Sequence, residues 1–253
     1  MGFEAALAGS DSSFWGYIGY RDFQAQTEEG AAPASDLSAE TTMAGFGLRH
    51  YFGQNLYIEG TLNTGMDRYT STRRIGFGVV SETAIGDYKG THLGASLRLG
   101  SDAEEVDQTS VSPQIGLDYV VVNTDAFTES GAGSLNLAMD AQKHESLDLV
   151  LGLDATRVFE LNAGHSLSVE FGGALYINLY QSNRYSASLA ELQGSAFDLT
   201  DNSDEPAFAE LSVRFTHQPP NGVFKTFVDL SARSQPEHSN WGTAVSFGYQ
   251  MSF

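Results

Sequence analysis

The chain has 253 residues, with 32 acidic side chains against 13 basic ones, 27 glycines, six prolines and no cysteine. A formal charge of −19 excludes nucleic acid as a partner, because a phosphate backbone would be repelled. The lack of cysteine excludes a disulfide scaffold and a thiolate zinc site, and no run of about 18 apolar residues exists that could cross a bilayer as a helix.

What recurs along the chain is a period of two, the signature of strands with one apolar and one polar face. GFEAALA (2–8) reads as a strand stub. FWGYIGYRDF (14–23) is aromatic on both parities and harder to phase. AGFGLRHYF (44–52), NLYIEGTLNT (55–64), THLGASLRLG (91–100) and SPQIGLDYVVV (112–122) alternate clearly. So do 147–160, 166–179, FAELSVRFTH (208–217), GVFKTFVDLSAR (222–233) and VSFGYQMSF (245–253). The stretch Arg74 to Val80 is expected to prolong a strand beyond the apolar zone, the alternative being an extra strand. About eleven strands and no amphipathic helix define an all-β class.

The parity that carries charge also carries Gly, Ser and Thr. It holds Arg49, Glu59, Arg98, Asp118, Asp148, Asp154, Glu170, Glu210, Arg214, Lys225, Asp229 and Arg233. The opposite parity is almost entirely aliphatic or aromatic. A soluble sandwich alternates too, with its apolar face inward, so alternation does not choose. Connection length does: short links (8–13, 53–55, 162–164, 218–222) alternate with long polar ones (24–41, 65–90, 123–145, 181–207), with 101–111 intermediate and RSQPEHSN before the end strand only moderately long. Short turns on one side and long loops on the other characterise an antiparallel barrel threaded through a membrane. The apolar parity is then predicted to face lipid, and the twelve charged residues to line a wet interior. There Asp148, Asp154, Glu170 and Asp229 would pair with Arg49, Arg98, Arg214, Lys225 and Arg233. Trp15, Tyr17, Tyr20, Phe46, Tyr51, Phe52, Tyr57, Tyr119, Tyr180, Phe215, Trp241, Phe247 and Phe253 are expected in interfacial girdles.

Candidates for chemistry are few. Six histidines (50, 92, 144, 165, 217, 238) are scattered without a pair at i, i+2 or i+4, which argues against a metal site. No G-x-S-x-G elbow occurs, and the Gly-x-Gly runs lack the following helix of a phosphate cradle. The expectation is a protein without cofactor, metal or catalytic residue. Its alternatives are a hydrolase barrel with catalytic groups on the rim loops, and a small porin-like channel.

Residues 112–161 carry a more specific mark. A Pro-led strand ends in Asp118-Tyr119; then come Phe127, Thr128, Glu129, Ser130, Gly131 and Ala132, and a Ser-Leu strand containing Leu151-Gly152-Leu153. Ser246, Gly248, Met251 and Phe253 follow the pattern of an outer-membrane assembly signal. Together these resemble the C-terminal translocator domain of bacterial autotransporters, the type V secretion proteins, over nearly the whole of 1–253. The resemblance implies a twelve-stranded transmembrane antiparallel β-barrel in the Gram-negative outer membrane, with its C-terminus at the periplasmic side. With about eleven strands present, it implies a first strand truncated, and a passenger and linker helix lying outside this chain. The partners it implies are outer-membrane lipid and lipopolysaccharide, the barrel assembly machinery, and the protein's own passenger or linker segment in the lumen. The activity it implies is anchoring and helping to export an N-terminal passenger to the cell surface.

Overall fold

A computed structural model describes residues 2–6, 11–26, 35–102, 109–192, 196–199, 207–220, 224–235 and 240–251. The strands are β1 (Gly2–Ala6), β2 (Ser12–Gln26), β3 (Ser35–Phe52), β4 (Leu56–Phe77), β5 (Val80–Ser101), β6 (Thr109–Thr124), β7 (Phe127–Thr128), β8 (Leu137–Met139), β9 (Gln142–Glu160), β10 (Ser166–Leu189), β11 (Phe197–Leu199), β12 (Ala207–Gln218), β13 (Phe224–Gln235) and β14 (Asn240–Met251). The wall runs β1-β2-β3-β4-β5-β6-β9-β10-β12-β13-β14, each neighbour antiparallel, with β7, β8 and β11 attached above it. All eleven alternating segments of the sequence are present in this wall.

Hydrophobic burial does not organise the molecule. Among the described residues no large side chain is fully buried, and the apolar residues that are buried are Ala39, Tyr57, Ala84, Ala132, Val150 and Ala187. Leu62, Met66, Leu97, Leu151, Leu153, Phe171, Leu175, Leu211, Val228, Leu230 and Phe247 are all exposed, together on the convex face. A sandwich would seal these between its sheets. In water such a patch would drive aggregation, whereas in a bilayer it is the lipid contact.

The height of that contact is marked by charge. On β9 the convex parity runs Lys143, Glu145, then Leu147, Leu149, Leu151, Leu153 and Ala155, then Arg157. The apolar stretch 147–155 is nine residues long, about what a tilted strand needs to cross hydrocarbon. Asp22, Glu40, Arg68 and Lys89 form the upper boundary on β2 to β5, one directly opposite the next.

Strand ends depart from the sequence reading. Much of the polar sequence assigned to loops is strand. β3 begins at Ser35, and β4 and β5 stay paired up to Phe77 and Val80, joined only through Gly78 and Val79. β10 continues to Leu189. Beyond the lipid both faces are wet, so the apolar alternation fades while the backbone ladder persists. The asymmetry between the two ends lies in how far the strands project, more than in loop length. The tight turns place Gly53 and Gly78 at φ of 71° and 58°, which glycine adopts without strain.

Odd-numbered parity on β10 gives Val169, Phe171, Leu175 and Ile177 to the convex face. A register shift between Asn178 and Tyr180 then swaps the parity, so Tyr180 faces outward as well. β1 and β14 come into contact along the seam. Both run toward the short-turn end, so they cannot continue the antiparallel ladder to one another.

The two-faced wall makes a direct prediction. Leu151→Arg and Ile177→Arg should each destabilise the lipid-inserted protein by about 2–4 kcal/mol, read by denaturant unfolding in vesicles. Unfolding midpoints equal to the parent's would show that these side chains do not meet hydrocarbon.

Candidate functional site: the concave face and its upper wall

The twelve charged residues singled out from sequence all fall on one parity of their strands, the concave one. Their pairing follows the ladder, because side chains directly opposite on neighbouring strands are nearest. Arg49 meets Glu59 at 2.6 Å, Arg98 meets Asp118 at 2.7 Å and Arg214 meets Asp229 at 2.6 Å. Of the four carboxylates expected to pair with arginine or lysine, only Asp229 does so. Asp148 accepts from the Asn178 amide at 2.9 Å and Asp154 from Gln114 at 2.8 Å. The Arg233 guanidinium lies over the Phe208 ring, 3.4 Å from its centroid, and Lys225 stands opposite Gln250. A cavity of about 500 Å³ opens on this face, and Arg98, Asp118, Asp148, Tyr176, Glu210 and Arg233 are among its walls. Residues from β4 to β13 thus surround one space.

Aromatic side chains share the interior, which sequence reasoning missed. Trp15 and Tyr17 project inward over Gly47 and Gly45, Tyr57 over Gly100, and Phe227 over Gly248; a Cβ on any of these glycines would collide with the ring. Tyr51 donates to Asp102 on the same face. The girdle assignment therefore fails for Trp15, Tyr17, Tyr51 and Tyr57. A ring lying flat against a neighbouring strand needs a residue without a side chain beneath it, and glycine supplies that space. Tyr20, Phe46, Phe52, Tyr119, Tyr180, Phe215 and Phe247 are on the convex face as expected. The Trp241 side chain and Phe253 lie outside the description.

In the assembly signal, Ser246 and Gly248 pair with Asp229 and Phe227 on the concave parity, while Val245, Phe247 and Tyr249 are exposed on the convex one. Met251 ends β14 opposite Phe224, and Phe253 lies outside the described residues.

The 127–132 block, expected as a loop, is a kinked continuation of the β6/β9 hairpin that fills the wall between β5 and β10. Each of its residues has a contact that explains its chemistry. Phe127 stacks on Tyr88 at 4.2 Å, and Tyr88 on Tyr69 at 4.9 Å. Thr128 pairs with Ala138 in the β7/β8 ladder, and Ala187 of β10 takes Met139 on the far side. Glu129, buried, accepts a two-pronged bond from Arg73, 3.0 Å at Nε, and also the Leu137 N–H at 2.8 Å. Ser130 bridges Ile85 of β5. Gly131 has φ of 102°, and a Cβ there would lie 2.5 Å from the Thr83 carbonyl oxygen. Ala132 is buried and its N–H donates to Asn136 Oδ1 at 2.9 Å. Above the charged rows, burial beside these rings, reinforced by the Asp67 carboxylate, pushes the Tyr69 hydroxyl up to about 12.

Three polar contacts were invisible in the sequence because their members are far apart in it. Asp67, buried, accepts from Thr41 at 2.6 Å and contacts His92 at 2.9 Å. Arg73, assigned to a loop, sits on β4 facing the interior. His165 and His217 meet at 3.0 Å on the convex face at the short-turn end. His238 lies outside the described residues. Among the described residues no three potential ligands converge on a metal position.

An antiparallel wall that is apolar outside, charged within and prolonged at one end defines a β-barrel of the outer-membrane kind. Its family follows from comparison. The autotransporter β-domain family model matches residues 1–231, and the chain belongs to that family, whose domains reside in the Gram-negative outer membrane as translocator barrels. The fold is similar to the translocator domain of the autotransporter NalP from Neisseria meningitidis. The TM-score is 0.68 at 17% identity, over 98% of this chain and 78% of that one. It is also similar to the β-domain of the Bordetella autotransporter BrkA, with a TM-score of 0.60 at 15% identity, over 99% of this chain and 86% of that one. Among curated proteins, esterase EstA of Pseudomonas aeruginosa is 32% identical over 142 residues, 54% of this chain and 22% of that protein. Serotype-specific antigen 1 of Mannheimia haemolytica is 22% identical over 132 residues, 52% of this chain and 14% of that protein. The matches thus span less than a quarter of these relatives' lengths.

The Arg73–Glu129 contact should hold the upper wall without holding the membrane zone. Glu129→Ala is expected to speed proteolysis and amide exchange across 125–141 by one to two orders of magnitude, from a loss of about 1–3 kcal/mol. Exchange of β9 between 147 and 155 should be unchanged. Gly131→Ala should act the same way through its positive φ.

Proposed function

We propose that the concave face is the conduit of a translocator and that a segment of the exported polypeptide occupies it. The single observation supporting this most strongly is the inversion of the two faces. Leucines and phenylalanines are exposed on the outside, while Arg49–Glu59, Arg98–Asp118 and Arg214–Asp229 are held inside. A barrel of about this strand number lies between the filled eight-stranded and the open sixteen-stranded kinds. One helix, about 10–12 Å across with its side chains, suits such a space.

In this reading domain 1–253 is the barrel, and the passenger and linker belong to the rest of the protein. The opposite-sense strand required at the seam between β14 and β1 is supplied from outside the chain, upstream in the family's order. The short-turn end and the terminal strand face the periplasm, and the projecting ends of β3, β4, β5 and β10 face the cell exterior. Outer-membrane lipid and lipopolysaccharide meet the convex face. The barrel assembly machinery recognises β14 through Ser246, Gly248, Met251 and Phe253. The twelve interior charges line the conduit, and Phe127 to Ala132 fasten its outer wall. None of them is assigned a catalytic role. The esterase name belongs to EstA, most of whose length lies outside the match.

Display tests the proposal. A reporter domain fused upstream of the full-length protein should become accessible to protease and antibody on intact cells; a reporter retained inside, with the barrel correctly assembled, would refute translocation. Removing Phe253 should lower the heat-modifiable, assembled barrel in the outer membrane several-fold, and unchanged levels would remove it from the assembly signal.

A further inference from the structure

The sequence at the β4/β5 tip, RRIGFGVV (73–80), is unusual for a turn surrounded by water. Hairpin tips are ordinarily built from polar residues and glycine. Here the two arginines are already engaged on opposite sides. Arg73 binds Glu129 on the concave parity, and Arg74 binds Asp36 at 2.6 Å on the convex parity. What remains at the tip is apolar and exposed: Phe77 at 58% and Val79 at 103%.

Parity decides where this surface points. Ile75 and Phe77 share the side of Arg73, and Val80, opposite Phe77, shares the side of Ala84 and Tyr88. These are concave positions. The apolar side chains therefore face the axis of the barrel, above its mouth, not the bilayer. Beneath them on the same side stand the stacked rings of Phe127, Tyr88 and Tyr69, then Phe23, half exposed on β2. Apolar and aromatic side chains thus recur from the top of the charged interior to the tip of the hairpin on the β2–β5 side, interrupted by the mutually neutralised Arg73–Glu129 pair and by Glu82 opposite Ile75.

We infer that this strip is a docking track for the exported polypeptide as it leaves the interior. It receives a stretch with apolar side chains on the side turned toward β4 and β5. The inference rests on the translocator reading and extends it to a specific contact. Lipid is not the occupant, because the strip faces away from it. A second barrel cannot reach an inward-facing surface. Polypeptide of the same protein is the partner with access: 78% of EstA and 86% of the Mannheimia antigen lie beyond the segment matched by this chain.

A photo-crosslinking phenylalanine analogue tests the contact in the full-length protein in cells, with a protease site engineered between passenger and barrel. Placed at Phe77 or Val80, it should join the barrel covalently to its own passenger after that site is cut. The yield should be at least fivefold above that from Gly76 or Ser81, which have convex parity. The paired substitution Phe77→Asp and Val80→Asp should lower displayed passenger per assembled, heat-modifiable barrel several-fold. Normal display with equal or absent crosslinking at all four positions would overturn the track and leave translocation intact. No display by the unmodified protein would overturn both.

Discussion

Hydrocarbon provides no hydrogen-bond partner for a peptide group, and this constraint governs the rest of the structure. Each backbone N–H and C=O within the bilayer must be bonded inside the sheet, so adjacent strands pair residue by residue across the membrane zone. Once the ladder bears that requirement, side chains need not form a core. Among the described residues the wall has none: its buried apolar residues are four alanines, Tyr57 and Val150. Alternation then separates solvents. One parity dissolves in acyl chains, and the other is free to hold arginine and glutamate in a wet interior.

The same constraint explains the change in character above the charged rows. Within the lipid the convex face must be apolar, so its pattern is strict. Above it, pairing continues with both faces in water, and the interior there must be stabilised by its own contacts. The block from Phe127 to Ala132 provides them through ring stacking, a buried carboxylate held by arginine, and a glycine in a conformation other residues resist. Without this piece β5 and β10 would project past the ends of β6 and β9 with open ladder edges, the condition that sheet proteins avoid. The 127–132 block is therefore a construction element of the rim.

The strands and their faces were legible from period-two alternation, and so was the direction in which charge would point. Strand ends were not, since Ser35 to Ala39 and Thr70 to Phe77 are paired backbone without apolar alternation. The inward aromatics were misplaced for a related reason. Trp15, Tyr17 and Tyr57 look like girdle residues until the glycine opposite each is identified, and that requires register. Ion pairs were predicted in kind but not in partner: Arg98 chooses Asp118 because the ladder puts them side by side, a fact of pairing that composition does not contain. Arg73–Glu129, Thr41–Asp67–His92 and His165–His217 join residues 25 or more positions apart.

A conduit must accommodate a segment without trapping it, and the interior charges suit that task. Arg49, Arg98 and Arg214 are already neutralised by carboxylates of the wall, so a passing chain meets paired charges and amide-held acids, not a row of bare ions. Pairs that are partly hydrated can exchange water for backbone and side-chain hydrogen bonds of a guest at little net gain or loss. A deep apolar pocket would bind a segment and keep it, and the mid-height cavity, walled by Asp148, Tyr176, Glu210 and Arg233, is not one. Among the described residues the apolar hairpin tip lies on the upper β4–β5 side, where a chain that has left the membrane zone no longer needs to slide. The vertical order, paired charges among glycine-backed rings below and an apolar hairpin tip above, therefore gives weak holding during passage and a firmer contact at the exit.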